Sequence, residues 1–433
     1  MKYTRNRVVR AGLALSAAGI LAVTAAGCAS DNGGDEGPVT LNIVAANNPW
    51  LVSIKDHLSE FEEESGITVN IEEFGNEQLS DQTQVKLNAK STDLDVLILR
   101  PLQELRLYAD NGWLEDITDR VEDSGDWNWD DFQESPRETV TVDDSVWAVP
   151  LMTEREIVYY NEDLLAAKGL EIPTTLEELE TAAAAINDPA NGTYGVALRG
   201  ALNAAVTSFS GFLYSYGADW QDEDGASGIG SDEAVEAYEY YGNLIRSYGP
   251  PGPTTMGWPE ASAIFAQGKA GFYIDADSQA YVFQAPSSSQ VVEQVGYAPF
   301  PEGPDGARPY NDVPWGAAVS SFSEHKDEAW EFIQWATTTA SFDTAMIEQS
   351  SPSPRASSWE NDEATSAFPA ELIDIVDLYG EIGVGYDRPR NIQVGLARDI
   401  VGKPIVTSIE GGDVAAAAEA ASAEYDEFLE TDN

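Results

Sequence analysis

The chain has 433 residues, of which 75 are acidic and 23 are basic, so its formal net charge at pH 7 is −52. A surface of this sign repels nucleic acid and anionic lipid headgroups, which argues against a protein that binds either. A single cysteine excludes an internal disulfide, and two histidines argue against a histidine-rich metal site or Ser-His-Asp chemistry. We therefore expect no metal and no cofactor, and the length indicates two domains or one domain of two lobes.

The first 27 residues have the order of an export signal. Four basic residues precede an apolar run at 11–26, which is shorter than the ~20 residues that span a bilayer comfortably. Small residues follow, directly before Cys28. This order resembles the lipobox of bacterial lipoproteins, in which lipid is attached to the cysteine, although Ala25 stands where the consensus prefers Leu. An ordinary cleaved signal is the alternative. We expect a lipid anchor on Cys28 at the extracellular face of the membrane, with residues 28–38 as a flexible tether.

Ordered structure is predicted from Val39 onward, beginning with alternating strands and helices. The predicted elements are a strand at Leu41, Ile43 and Ala45, a helix from Leu51 to Phe61 that ends at Gly66, a strand at Ile67, Val69 and Ile71, a helix at 77–90, and a continuous apolar strand at 95–99. This β-α-β-α-β order predicts a parallel sheet with helices on its faces. Ligands of such sheets bind beyond the carboxyl ends of the strands, which here are residues 46–50 and 100–101.

A second α/β stretch is predicted after Pro150. Its predicted strands are 195–198, which Arg199 follows, 270–274, which Asp275 follows, and 295–298; its predicted helices are 176–186, 232–248 and 260–267. Later, an amphipathic helix at 325–338 precedes a Ser/Pro-rich break at 350–355, and an alanine-rich acidic helix occupies 412–429. The fold class is therefore predicted to be α/β.

Several segments, taken together in their order and spacing, resemble the solute-binding proteins of bacterial ABC importers, in the extracellular carbohydrate-binding family. The segments that carry the resemblance are 159–165 with 169–179, 265–271, 295–301, 328–335 and 351–355. Within that family the chain is similar to the sorbitol/mannitol-binding group through residues 111–114, 188–200, 248–252 and 274–276. It departs from that group at Arg155 and Glu156, where a charged pair replaces small hydroxyl residues and would alter the choice of ligand.

The resemblance implies a two-lobe fold of the periplasmic-binding-protein type II class, with the ligand in a cleft between lobes joined by hinge strands. The N-terminal lobe is expected to comprise 39–150 plus 317–349, and the C-terminal lobe 151–316 plus 350–433. Hinge closure around the ligand is the behaviour expected of this fold. The implied partners are a small carbohydrate or polyol and the permease subunits of an ABC importer, and we expect a monomer.

The candidate ligand-binding residues combine guanidinium, amide, carboxylate and aromatic groups. Sugar hydroxyls both donate and accept hydrogen bonds, arginine can hold two neighbouring oxygens, and aromatic rings cover apolar C–H faces. The predicted contacts are Asn47, Asn48 and Arg100 from the first lobe, Glu154 and Arg155 at the hinge, Arg199, Asp275 and Trp315 from the second lobe, and Arg388 and Arg390 in a late loop that the family uses near the cleft.

Structural alternatives stand beside several of these candidates. Arg199 could be a structural ion-pair partner, although its place after a strand favours the site. Asp275 could cap the helix that follows it. Trp315 is expected in the cleft because Pro314 and Gly316 mark an interrupted strand at the crossover. Arg388 and Arg390 could each be structural.

Two functions from different classes fit the sequence. The first is a receptor, without enzymatic activity, that captures a polyol such as sorbitol or mannitol, or a small sugar such as a disaccharide, and delivers it to an ABC importer. The second is a surface glycoside hydrolase, for which the abundant carboxylates could supply an acid and a nucleophile but for which no motif is present. The leader, the β-α order and the family segments favour the receptor, anchored to a Gram-positive cell.

Overall fold

The structure is a computed structural model that describes residues 38–432. The predicted leader, Cys28 and all but the last residue of the predicted tether lie outside the described residues. Within residues 38–432, no helix has both the length and the apolar character that a bilayer crossing requires.

The described chain alternates strands and helices. The strands are β1 (Thr40–Ala46), β2 (Thr68–Phe74), β3 (Val96–Leu99), β4 (Thr141–Val142), β5 (Ser145–Val146), β6 (Val149–Glu154), β7 (Glu156–Asn161), β8 (Tyr194–Ala197), β9 (Ala270–Ala276), β10 (Val295–Ala298) and β11 (Val313–Val319). The first helices are α1 (Pro49–Ser65), α2 (Asn76–Asn88), α3 (Arg106–Asp110), α4 (Thr118–Glu122), α5 (Glu134–Thr139), α6 (Glu162–Lys168), α7 (Leu176–Ile186), α8 (Ala205–Ser215), α9 (Asp232–Tyr248) and α10 (Trp258–Ala266). They are followed by α11 (Ala280–Gln284), α12 (Lys326–Ala336), α13 (Thr339–Gln349), α14 (Ala356–Trp359), α15 (Asp362–Thr365), α16 (Ala370–Ile382), α17 (Val394–Val401), α18 (Lys403–Glu410) and α19 (Val414–Leu429). Short helical turns are found at Pro101–Leu105, which is a π-helix, and at Gly125–Trp127, Trp129–Asp131, Pro253–Thr255 and Asp277–Gln279.

The first lobe is built on a five-stranded sheet in the order β2-β1-β3-β11-β6. β1 runs parallel to β2 and β3, which confirms the predicted parallel sheet, and β11 pairs antiparallel with β3 and β6. α1 begins where the Asn48 side chain accepts a hydrogen bond from the amide of Leu51, and it ends at Gly66, whose φ of 73° suits glycine. Apolar residues of β1, β3, β6 and β11 form one core with α1 and α12.

The second lobe is built on a four-stranded sheet in the order β10-β7-β9-β8. β7 pairs antiparallel with β10 and β9, and β8 runs parallel to β9. The helices predicted at 176–186 and 232–248 are observed with the same bounds, and the other predicted helices of this stretch differ by at most two residues at an end. A second core of aliphatic and aromatic residues surrounds this sheet.

The chain passes between the two sheets at positions that differ by a few residues from the predicted boundaries. β6 stays in the first sheet to Glu154 and β7 enters the second at Glu156, so the outward crossing is at Arg155 rather than at 150–151. β11 belongs to the first sheet from Val313, so the return precedes 317. The reason is that β6 and β11 pair with each other along their length, with Val313 opposite Glu154, which extends both hinge strands to the edge of the first lobe.

The third crossing follows α13 and is fixed by Arg355. The Arg355 guanidinium is buried and packs 4.1 Å from the ring centre of Phe132. It donates hydrogen bonds to the carboxylate of Asp131 and to the backbone carbonyl oxygens of Trp127, Asn128 and Thr337. The predicted Ser/Pro-rich break at 350–355 is confirmed, and Arg355 ties its end to the first lobe.

Candidate ligand-binding site

A cavity of about 370 Å³ lies between the two sheets and is lined by side chains of both lobes. The ends of β1 and β3 contribute from the first lobe, as do Met152 and Glu154 on the hinge strand β6. The loop after β8, the turn after β9 and the α17 region contribute from the second lobe. The position agrees with the rule that ligands of open α/β sheets bind beyond the carboxyl ends of the strands.

The structure brings seven of the ten predicted residues to this cavity. They are Asn47, Asn48, Arg100, Glu154, Arg199, Trp315 and Arg388. Asn48, between β1 and α1, has one side-chain atom that serves the fold and one that is left for a ligand. Its Oδ1 caps α1 with a 2.8 Å hydrogen bond from the amide of Leu51, and its buried Nδ2 has no hydrogen-bond partner among the described residues. A buried amide donor without a partner is costly, so a ligand oxygen at this position would satisfy it.

Arg199 faces the cavity, and Asp275 holds it from behind. The Nε of Arg199 donates to Asp275 Oδ2 at 2.6 Å, and its Nη2 donates to Asp275 Oδ1. Asp275 is fully buried and also accepts from the Tyr273 hydroxyl and the Ala276 amide, both at 2.8 Å. Asp275 therefore does not line the cavity, and its prediction as a ligand contact is corrected: its oxygens are occupied within the protein. Nη1 of Arg199 donates to none of the residues between 38 and 432 that the structure describes.

Arg388 and Arg100 are held in the same way by neighbouring carboxylates. Asp387 accepts from Nε of Arg388 at 2.6 Å and from its Nη2. Although burial raises the pKa of Asp387, the adjacent Arg388 guanidinium outweighs it and holds the pKa at about 2. In the first lobe, Glu104 accepts from Nε of Arg100 at 3.2 Å and from its Nη2, which also donates to Ser80 at 2.7 Å. Three of the cavity arginines thus have a buried counter-ion on the side away from the cavity.

Arg398, in α17, is a fourth arginine at the cavity that the sequence reasoning missed. Its hydrogen bonds go to neutral oxygens: the Asn203 carbonyl, the Thr207 hydroxyl and the Gln103 side chain. Burial first, and the neighbouring Arg388 second, lower the pKa of Arg398 well below its usual range. A basic residue within an amphipathic helix usually lies on the solvent face, so nothing local in the sequence marked this one as buried.

Glu154 supplies a carboxyl group at the hinge edge of the cavity. It accepts a 2.7 Å hydrogen bond from the Ser278 hydroxyl. Burial raises the pKa of Glu154 to about 7, so its carboxyl group changes charge near neutral pH. The aromatic side chains of Trp258, Tyr281 and Trp315 also line the cavity and offer apolar faces beside these polar groups.

Arg155 does not reach the cavity, and its prediction as a ligand contact is wrong. Its buried guanidinium donates to Asp277 at 3.3 Å and to Asp312 at 2.6 Å, and it lies 5.5 Å from the ring centre of Trp359. These partners flank the two hinge crossings, so Arg155 neutralises carboxylates there. Its neighbour on β7, Glu156, points into the second lobe.

Glu156 is packed under α8 rather than toward a ligand. A β-carbon on Gly211 would lie 2.1 Å from its Oε2, so a helix residue without a side chain is required there. Burial, and then the nearby Asp275, raise the pKa of Glu156 well above its usual range. The charged pair at 155–156 therefore gives no contact to the cavity, and its expected effect on ligand choice stays a prediction.

Arg390 also lies outside the cavity. It is exposed, its guanidinium lies 4.4 Å from the ring centre of Tyr386, and it borders a separate surface depression with Arg308. Arg388, only two residues earlier, is buried. The sequence shows two basic residues in one loop but not which of them points inward.

Comparison with known proteins identifies the family of the chain. The model of the bacterial extracellular solute-binding protein family matches residues 48–341. The chain is 28% identical over 311 residues to a mannitol-binding protein of Pseudomonas aeruginosa, covering 70% of each chain. It is 28% identical over 327 residues to an erythritol/L-threitol-binding protein of Mycolicibacterium smegmatis, covering 71% of this chain and 68% of the relative.

Among solved structures, an ABC transporter solute-binding protein of Agrobacterium radiobacter K84 in complex with ribitol superposes with a TM-score of 0.82 at 26% identity. The match covers 90% of this chain and all of that one. These findings confirm the two-lobe α/β fold and the resemblance that the ordered segments carried. The chain belongs to the family of bacterial extracellular solute-binding proteins.

Proposed function

We propose that the protein captures a small uncharged polyol, such as mannitol, sorbitol or ribitol, in the cleft between its lobes and delivers it to the permease of an ABC importer. The observation that carries this proposal is the set of cavity arginines that are neutralised from behind. Arg100, Arg199 and Arg388 each have a carboxylate partner within the protein, so they offer N–H donors without requiring an anionic ligand.

The remaining charges in the cavity are consistent with a neutral ligand. Arg398 has no carboxylate hydrogen-bond partner among the described residues, and Glu154 is a carboxyl group without a guanidinium hydrogen bond. Arg398 and Glu154 therefore offset each other when Glu154 is ionised, and the other carboxylate that lines the cavity, Glu260, is exposed to water. The site presents arginine donors beside the Glu154 acceptor, so its ligand must both accept and donate hydrogen bonds. A polyol does so, because each hydroxyl can accept from an arginine and donate to Glu154.

The size and the relatives support a polyol over a longer sugar. The volume of about 370 Å³ is near the lower end of the roughly 300–1,000 Å³ found for small-molecule pockets. The two relatives are named for mannitol and for erythritol and L-threitol, and the superposed structure holds ribitol. A disaccharide is the alternative ligand, and direct competition decides between them.

We propose binding without turnover. The carboxylates that line the cavity are Glu154 and Glu260. Glu154 accepts from Ser278, and Glu260 accepts from the amide of Gly257 at the start of α10. Both therefore have structural hydrogen bonds, and the solute-binding family supports capture rather than glycoside hydrolysis.

We also propose that the protein is held at the extracellular face of the membrane of a Gram-positive cell by lipid on Cys28. The order of basic, apolar and small residues before Cys28 supports this anchor. A surface of formal net charge −52 provides no basic patch for lipid headgroups, so a covalent lipid would supply the attachment. The tether would keep a captured ligand near the importer.

The first prediction concerns the ligand. Calorimetric titration with D-mannitol, D-sorbitol and ribitol is expected to give saturable one-to-one binding by at least one of them, with weaker binding of maltose. At a ligand concentration of 100 Kd the free energy of unfolding should rise by about 2.7 kcal/mol. Hydrolysis of a glycoside, or binding of maltose with no polyol binding, would contradict the proposal.

The second prediction concerns Arg199. Arg199→Lys keeps a positive charge beside Asp275 but removes the planar fork, so Kd for the bound polyol should rise about 10- to 100-fold while unfolding free energy falls by only about 1 kcal/mol. Arg199→Ala is less informative, because a buried carboxylate left without its partner costs about 3–5 kcal/mol.

The matched control for this change is Arg246→Lys. Arg246 also lies in the second lobe, where it donates to the Ser408 carbonyl and to Asn243, and it does not line the cavity. Calorimetry should find an unchanged Kd in the control. Wild-type affinity in Arg199→Lys would show that Arg199 does not bind the ligand.

The third prediction concerns pH. The pKa of Glu154 is about 7 in the unliganded protein, and a ligand hydroxyl that donates to its carboxylate would lower it. Binding then releases a proton, so affinity should increase by up to about tenfold from pH 6 to pH 8. Glu154→Gln should show a nearly flat profile. An equal slope in wild type and variant would assign the pH dependence to another group.

A further inference from the structure

Gln103 joins the two lobes across the cleft. It lies in the helical turn Pro101–Leu105, directly after β3 and Arg100, on the first lobe. Its Oε1 accepts a 3.0 Å hydrogen bond from Nη1 of Arg388 and a 2.9 Å hydrogen bond from Nη1 of Arg398, both on the second lobe. Its Nε2 lies 3.8 Å from the place that a β-carbon on Gly395 would occupy. The side chain therefore reaches into the second lobe.

The two arginines need an acceptor of this kind. Both are buried, with only 5% and 3% of their surfaces exposed, and they lie close enough that Arg388 disfavours the charged form of Arg398. Asp387 forms a two-point pair with Arg388, whereas the hydrogen bonds of Arg398 go to neutral oxygens. A single carboxylate therefore compensates the charge of two neighbouring guanidiniums. The Gln103 oxygen is the acceptor that both share, and charge-assisted hydrogen bonds of this type are stronger than neutral ones.

Other side-chain contacts also join the lobes at the cavity. Beside the hinge, the Ser278 hydroxyl of the second lobe donates a 2.7 Å hydrogen bond to Glu154 at the end of β6. Away from the hinge, the contact at the cavity rim is weaker. Nδ2 of Asn47, on the first lobe, lies 3.5 Å from the hydroxyl of Tyr281 on the second lobe, at the limit for a hydrogen bond. Asn47 is also exposed, so water competes for its amide. Of the two links that lie away from the hinge strands, the one through Gln103 is shorter and better shielded from solvent.

We propose that Gln103 is a positioning residue that latches the lobes together before ligand arrives and holds Arg388 and Arg398 in their cavity-facing positions. Its benefit to affinity rests on the proposed polyol binding, whereas the latch is a property of the unliganded protein. When only a fraction of the protein is binding-competent, the apparent Kd is the intrinsic Kd divided by that fraction. A latch that raises the closed fraction thus lowers the apparent Kd without contacting the ligand.

Small-angle X-ray scattering of the unliganded protein tests the latch directly. Gln103→Ala removes the shared acceptor, so its radius of gyration should exceed that of the wild type. Gln103→Glu places a carboxylate against the same two guanidiniums, so its radius should be no larger than that of the wild type. Gln78→Ala is the matched control, because Gln78 lines the same cavity from the first lobe and makes no hydrogen bond to the second lobe among the described residues.

Titration with D-mannitol supplies the second readout. Gln103→Ala should raise the apparent Kd about tenfold, as expected if the closed fraction falls to about one tenth of its wild-type value. Gln103→Glu should bind at least as tightly as the wild type. An unchanged radius in Gln103→Ala, or an equal increase in Gln78→Ala, would overturn the latch. Absence of mannitol binding in every protein would count against the proposed ligand alone, because the scattering comparison still decides the latch.

Discussion

An arginine that faces a closed cleft must give up much of its water, and this cost is met here by carboxylates buried behind the guanidiniums. Asp275, Asp387 and Glu104 each accept two hydrogen bonds from the guanidinium in front of them. Each pair fixes the orientation of a planar donor group while cancelling its charge. The cavity therefore has rigid hydrogen-bond donors. It does not need an anionic ligand to balance its charge, although its wall contains four arginines.

The hinge uses the same principle for a different purpose. Arg155 lies at the crossing between the sheets and pairs with Asp277, which follows β9, and with Asp312, which precedes the hinge strand β11. Arg355 anchors the third crossing to the first lobe through backbone carbonyls and Asp131. Buried cations thus hold the crossings while Gln103 and its two arginines connect the lobes at the cleft itself. Hinge strands that stay attached to both lobes, together with contacts across the cleft that can break, are a suitable arrangement for hinge motion about a ligand.

The sequence predicts the strands and helices of this molecule well, because they depend on local patterns of apolar residues. Alternation and helical spacing place β1, α1, β2, α2 and β3 within a few residues, and the strand-end rule then brings Asn48, Arg100 and Arg199 to one cavity. Side-chain direction is where local reasoning ends. Arg388 and Arg390 are alike in sequence and opposite in exposure, and Arg155 sits at the hinge but points away from the cavity. Gln103 accepts hydrogen bonds from residues that lie 285 and 295 positions later in the chain. A periodic pattern in the sequence cannot indicate a contact over such a separation.

We infer that a neutral polyol binds between the lobes, against the arginines that buried carboxylates hold. A crystal structure of the protein with D-mannitol tests it most directly. Ligand oxygens should lie within hydrogen-bonding distance of Arg199 Nη1, Arg388 and the Glu154 carboxylate. Ligand density confined to another place, such as the surface depression beside Arg308 and Arg390, with none in the cavity between the lobes, would contradict it.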